Sequence, residues 1–156
     1  MNEQDLIKIL ADVQRAWGQE TVTAIQNKIR EIALIDTGDL GASISFTEEN
    51  NEVKFIMIDY GKFQDQGVNG LIVSHGSEFS FRGQWKGTAF AIKNWANARG
   101  LNPFATARSI QNKGIKPKKF FNSVVESRMP VLEDGTNAAI TDFMNAIVQK
   151  NSQQKP

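Results

Sequence analysis

Residues 43–60, SISFTEENNEVKFIMIDY, decide the fold class. Ile44 and Phe46 alternate with Ser43, Ser45 and Thr47, the period-two pattern of a strand with one covered face. Glu48 to Glu52 is polar and holds two asparagines, a turn composition. Val53 to Tyr60 then returns, with Val53, Phe55 and Met57 on one face and Ile56 and Ile58 on the other. Both faces turn apolar towards its end, which predicts a central strand covered on both sides.

Upstream, residues 3–34 read as helix. Leu6, Leu10, Val13 and Trp17 form one stripe, and Val22, Ile25, Ile29 and Ile32 form another. Gly18 lies between the stripes and predicts a kink or break, with Thr21 able to cap a second piece. Asp36-Thr37-Gly38-Asp39 ends this helical region.

Downstream, residues 61–87 hold six glycines. Leu71-Ile72-Val73 and Phe79-Ser80-Phe81 are candidate short strands. The segment also carries Phe79, Phe81, Arg82, Trp85 and Lys86. Two readings stand side by side: a loop that orders against a partner, or a fold that packs its own aromatics.

From residue 88 the pattern is helical. Gly87 or Thr88 caps a first piece with Ala91, Ile92, Trp95 and Ala96 on one face, ended by Gly100. Asn102 as N-cap and Pro103 at the first helical position restart it. Gly114 stops it, and Lys116-Pro117 makes an extended link. Phe120, Phe121, Val124 and Val125 form an apolar stripe. Pro130 opens the final helix, with Ile140, Phe143, Met144 and Ile147 on one face and Gly135 as its weak spot. Trp95, Phe104, Ile110, Phe120 and Phe121 are the expected core of this helical layer.

The order predicts an α+β fold: a long N-terminal helix, an antiparallel hairpin or small sheet, short helices and an amphipathic C-terminal helix. One domain spans 1–150, with an inserted loop and helices at about 68–117 and a flexible tail at 151–156.

The chain of 156 residues has no cysteine, which excludes disulfides, zinc–cysteine sites, iron–sulfur clusters and cysteine nucleophiles. The N-terminus lacks a signal-peptide pattern, and no apolar run is long enough to span a bilayer. A soluble protein made in the cytoplasm is expected, with no membrane partner.

Net charge is +1 but unevenly spread. Residues 1–80 hold 6 Lys/Arg against 13 Asp/Glu, and residues 81–156 hold 12 against 4. Three readings are open: chance clustering on solvated faces, copies that meet acidic surface to basic surface, or a basic half near nucleic acid.

No constellation carries catalysis. His75 is the only histidine, and no nucleophile elbow surrounds any serine. Asp59 and Asp65 could serve magnesium, but their spacing does not favour it over solvated acids. Gly83 to Thr88 precedes a helix without phosphate-loop spacing. No cofactor and no metal is expected. Arg108, Lys113, Lys116, Lys118 and Lys119 form a basic run beside Phe120 and Phe121. It is a candidate interface or channel edge.

Three motifs carry a family resemblance. They are Thr37-Gly38-Asp39-Leu40-Gly41-Ala42-Ser43-Ile44, then Tyr60-Gly61-Lys62-Phe63-Gln64-Asp65-Gln66-Gly67, then Lys118-Lys119-Phe120-Phe121 ahead of a terminal amphipathic helix. With the long first helix and the hairpin, this arrangement resembles the tail-completion, or head–tail joining (neck), proteins of tailed bacteriophages. It covers roughly residues 20–150 through short, degenerate motifs, and it departs from compact members in the long insertion between Gly67 and Lys118. The resemblance implies a structural, non-enzymatic virion protein at the head–tail junction. It implies a homo-oligomeric ring, a hexamer or a dodecamer, between the connector or portal side and the tail tube or tail terminator. Phe79, Phe81, Arg82, Trp85 and Lys86 would then reach a neighbour, and the basic edge would face DNA in the channel or an acidic neighbour. A tail terminator, a connector adaptor and a nucleic-acid-binding accessory protein are the alternatives.

Overall fold

The structure, a computed structural model, describes residues 2–32, 38–49, 52–83 and 87–153. The fold is α+β. The chain divides into two compact units, one of Met1–Ile58 with Phe120–Pro156 and one of Asp59–Lys119. The second encloses the 68–117 stretch read from the sequence as inserted.

The first unit opens with α1 (Glu3–Glu31). Asn2 caps it reciprocally: the Asp5 N–H donates to Asn2 Oδ1 at 3.1 Å, and the Asn2 N–H donates to Asp5 Oδ2 at 2.7 Å. The helix runs unbroken through Gly18, contrary to the expected break. A Cβ there would lie 2.7 Å from the Phe46 ring, so the glycine answers to packing rather than to a break.

The short helix α2 (Asp39–Ser43) follows, entered through Gly38 at φ +82°. Its last residue ties the next elements together: Ser43 Oγ donates to the Leu40 carbonyl at 2.7 Å and accepts from the Ile58 N–H at 3.2 Å. Strands β1 (Ser45–Glu49) and β2 (Glu52–Ile56) pair antiparallel from Ser45↔Ile56 to Glu49↔Glu52. Residues 50 and 51 lie outside the described residues, as do residues 36 and 37 of the expected helix stop.

The central-strand expectation for Val53–Tyr60 does not hold. Among the described residues the sheet has two strands, and Ile56 is half exposed. The apolar run past Ile56 has another cause. Met57 and Ile58 leave the ladder and pack against a helical core of Ile25, Ile29, Leu40, Ile44 and Phe120.

That core closes under α7 (Asn122–Gln153), which lies antiparallel along α1. Phe120, Phe121, Val124 and Val125 enter the core as their stripe predicts. Phe120 and Ile25 are fully buried, each worth about 1.5–3 kcal/mol of apolar burial. Phe55 meets Trp17 and Phe121 edge to face, both at 5.7 Å. Trp17 Nε1 donates to the Arg128 carbonyl at 2.8 Å, and Arg128 Nε donates to Thr21 Oγ1 at 3.0 Å.

Pro130 therefore does not open the last helix; it sits inside it. Packing ahead of it, by Phe120–Val125 and the Trp17–Thr21–Arg128 bonds, and after it, by Gly135 beside Val13 and the buried Phe143, overrides the local cost of proline. The helix also takes in residues 151–153 of the expected tail.

The second unit holds α3 (Tyr60–Gln66), α4 (Gly87–Ala91), α5 (Lys93–Ala98) and α6 (Pro103–Lys113). Tyr60 starts a helix instead of ending a strand. Residues 71–73 and 79–81 are not strands either; single bridges join Val68 to Ile115 and Asn69 to Ser80. Asn102 caps α6 as predicted, accepting from the Phe104 and Ala105 N–H groups at 3.0 and 3.1 Å. No helix among the described residues is long and apolar enough to cross a membrane.

Candidate functional site

The Gly-rich loop is organised around one side chain. Asn69 Oδ1 accepts from the His75 N–H at 2.7 Å and the Ser77 N–H at 3.2 Å. Its Nδ2 donates to the Ser77 carbonyl at 2.7 Å and to Ser80 Oγ at 3.1 Å. One asparagine thus uses both ends of its amide to close residues 69–80.

The loop then caps α6. A helix leaves its last four carbonyls without helical partners. Here Ile110 O accepts from the Gly114 N–H at 2.8 Å and Gln111 O from the Leu71 N–H at 2.8 Å. Asn112 O accepts from the Ile72 and Val73 N–H groups at 3.0 and 3.2 Å. Lys113 O faces His75 Nε2 at 2.7 Å; a carbonyl only accepts, so that nitrogen carries the hydrogen. This is the place of the single histidine: a helix C-terminus, where its donor offsets the carbonyl dipoles. The approach is close enough to require glycine. A Cβ at Gly70 would fall 2.2 Å from the Asn112 carbonyl oxygen, and one at Gly114 2.2 Å from that of Val68.

The residues expected to reach a partner sit differently from one another. Phe79 turns to Phe63, edge to face at 4.8 Å, and Phe81 is half-buried with its N–H on the Asn69 carbonyl. Arg82 is exposed, and Trp85 and Lys86 lie outside the described residues. The loop up to Phe81 is held by its own bonds, not laid open as a lash.

Arg108, Lys113, Lys116, Lys118 and Lys119 are all exposed. Arg108 and Lys113 stand on α6, Lys116 and Lys118 on the link after it, and Lys119 at the end of that link with φ +50°. That link is fixed by the Lys118 N–H on the Gln64 carbonyl at 2.9 Å and the Lys119 N–H on the Asp65 carbonyl at 3.1 Å.

Two expectations about the core fail here. Phe104 is 66% exposed, and Trp95 is a third exposed with the Arg99 guanidinium 4.7 Å from its ring centroid. Phe104 meets Phe90, itself 71% exposed, edge to face at 6.2 Å. Phe90 was not singled out in the sequence. It stands beside the buried Ala89 on a helix of five residues, too short for a periodic pattern to show which face is covered.

Electrostatics divide by unit. Residues 59–119 hold 10 Lys/Arg and 3 Asp/Glu, and the rest of the chain holds 8 and 14. No acidic residue occurs between Glu78 and Glu126. On the first unit a shallow concavity of about 430 Å³ runs along Asp12, Arg15, Ala16, Gln19 and Glu20. Its Arg15 is paired with Asp12 at 2.9 Å and Glu48 at 3.3 Å. Among the described residues no group of three or more His, Cys, Asp or Glu side chains is placed to hold a metal ion.

No protein-family model, curated protein or solved structure matches the chain.

Proposed function

We propose that this chain is a structural protein of the tailed-phage virion, a tail-completion or head–tail joining (neck) component whose copies form a ring between connector and tail. The observation that carries the reading is the separation of charge between two compact units, +7 on residues 59–119 and −6 on the remainder. A chain divided this way is complementary to its own copies, and opposed potentials steer and orient such association. Its work is to hold a shape, not to turn over a substrate.

The motifs behind the resemblance support the reading at the level of the fold. Leu40 and Ile44 are core residues, Ser43 joins α2 to the end of the hairpin, and Gly38 enters α2 at positive φ. Phe120 is fully buried where the basic-aromatic motif enters α7. The test is to locate the protein in purified particles by electron microscopy with a bound antibody fragment. Density at the head–tail junction is expected; absence of the protein from particles overturns the reading.

The acid-free stretch between Glu78 and Glu126 favours a second reading, a nucleic-acid-binding accessory protein. Its mark is salt-sensitive binding to random DNA that is lost when Lys116, Lys118 and Lys119 are changed to Glu. Unchanged binding in that variant counts against it.

A further inference from the structure

Among the exposed apolar surfaces of the described residues, two have opposite charge settings. On the second unit the exposed rings of Phe90 and Phe104 brace each other edge to face. Arg108 follows Phe104 by one turn of α6. Residues 87–113, which span α4 to α6, hold four Lys/Arg and no Asp/Glu.

On the first unit α7 exposes Ile140, Met144 and Val148, one turn apart from each other. Val13 beside Gly135 and Trp17 on Arg128 fix the antiparallel register of α1 and α7. That register sets the stripe beside the first turns of α1, where Ile7 is exposed as well. Residues 3–12 and 133–150 hold six Asp/Glu and two Lys. Exposed apolar patches with a charged rim mark interaction sites.

We infer that the Phe90–Phe104 face of one copy docks on the Ile140–Met144–Val148 face of the next, with Arg108 turned to the acidic residues around that stripe. The inference rests on the ring reading above and adds which two surfaces make the ring. The patches differ and lie on one chain, so the contact is heterologous: each copy offers one of each, and association runs in one direction, into a ring where the rotation closes. An α7-to-α7 dimer would set acidic residues against acidic ones. A nucleic acid on the basic face would leave the α7 stripe uncovered.

Sedimentation of the full chain tests this with Phe104→Glu, Met144→Lys and their equimolar mixture. Both positions are exposed, and an unchanged helical circular dichroism signal verifies the fold; Phe104→Ser and Met144→Ser serve if either fails that check. Wild type is expected to be larger than a monomer at low salt. Each variant alone should associate at least about thirtyfold more weakly, the loss typical of a central interface residue. The mixture should recover a dimer and no more, because Met144→Lys keeps the aromatic face and Phe104→Glu keeps the α7 face. Wild-type oligomers that both variants leave intact overturn the assignment of surfaces while the ring reading stands. A wild-type monomer at every salt and concentration sinks both. Self-association of Phe104→Glu alone makes the contact an α7 dimer. A monomer whose DNA binding is lost with Phe104→Glu makes the face a nucleic-acid surface.

Discussion

Gly18 and the ring of Phe46 compete for one space. A methyl at residue 18 would sit 2.7 Å from Phe46 Cδ2 and Cε2, nearer than carbon atoms approach. Overpacking of that kind costs roughly 1–3 kcal/mol, and alanine returns about 1 kcal/mol of helix propensity. Gly18→Ala is therefore expected to lose about 1 kcal/mol in urea unfolding, and adding Phe46→Leu should restore most of it. The sequence showed a glycine between two helical stripes, which reads equally as a break or as a close approach. Only the hairpin laid across α1 distinguishes them. Thr21 presents the same situation at a polar position. It is fully buried, and its hydroxyl accepts from Arg128 Nε, whose guanidinium also reaches Glu20 at 2.6 Å. Thr21→Val keeps the volume and removes the acceptor. A loss of about 1 kcal/mol is expected from the urea midpoint.

At the scale of elements, local chemistry was legible and long-range packing was not. Asn102-Pro103 and Gly114 marked both ends of α6, because a cap and a stop are written in a few adjacent residues. Asn102→Ala removes the acceptor for two N–H groups and should cost about 1 kcal/mol, seen as faster amide exchange in the first turn of 103–113. Pro130 obeys the same local rules and misleads, since contacts with Trp17 and Thr21, more than a hundred residues away, hold α7 through it. The core stripe Phe120–Val125 was legible as periodicity. Phe104 fitted a stripe equally well and is exposed, because a helix of a small unit has fewer neighbours to cover it. In the candidate surface the basic run was legible as charge, and its five residues are exposed. Their aromatic companion Phe90 was not legible, since its partner Phe104 lies on another helix.

At the scale of the molecule, the charge imbalance between sequence halves nearly matches that between the structural units. Nine of the ten Lys/Arg of residues 59–119 lie beyond residue 80. The boundary itself was hidden because the first unit is discontinuous, with α7 returning to α1. The capped end of α6 bears on how the chain responds to a protease. Residues 68–75 are bonded to 111–115 across some forty positions of sequence. The exposed Arg82 lies between these segments, so trypsin cleavage after it opens the covalent chain without separating what the bonds hold. The expected result is a nicked protein that elutes at the size of the intact one and yields two fragments only under denaturing electrophoresis. In that form the two pieces complement each other, and continuity of the polypeptide at 82–83 is dispensable once folding is complete.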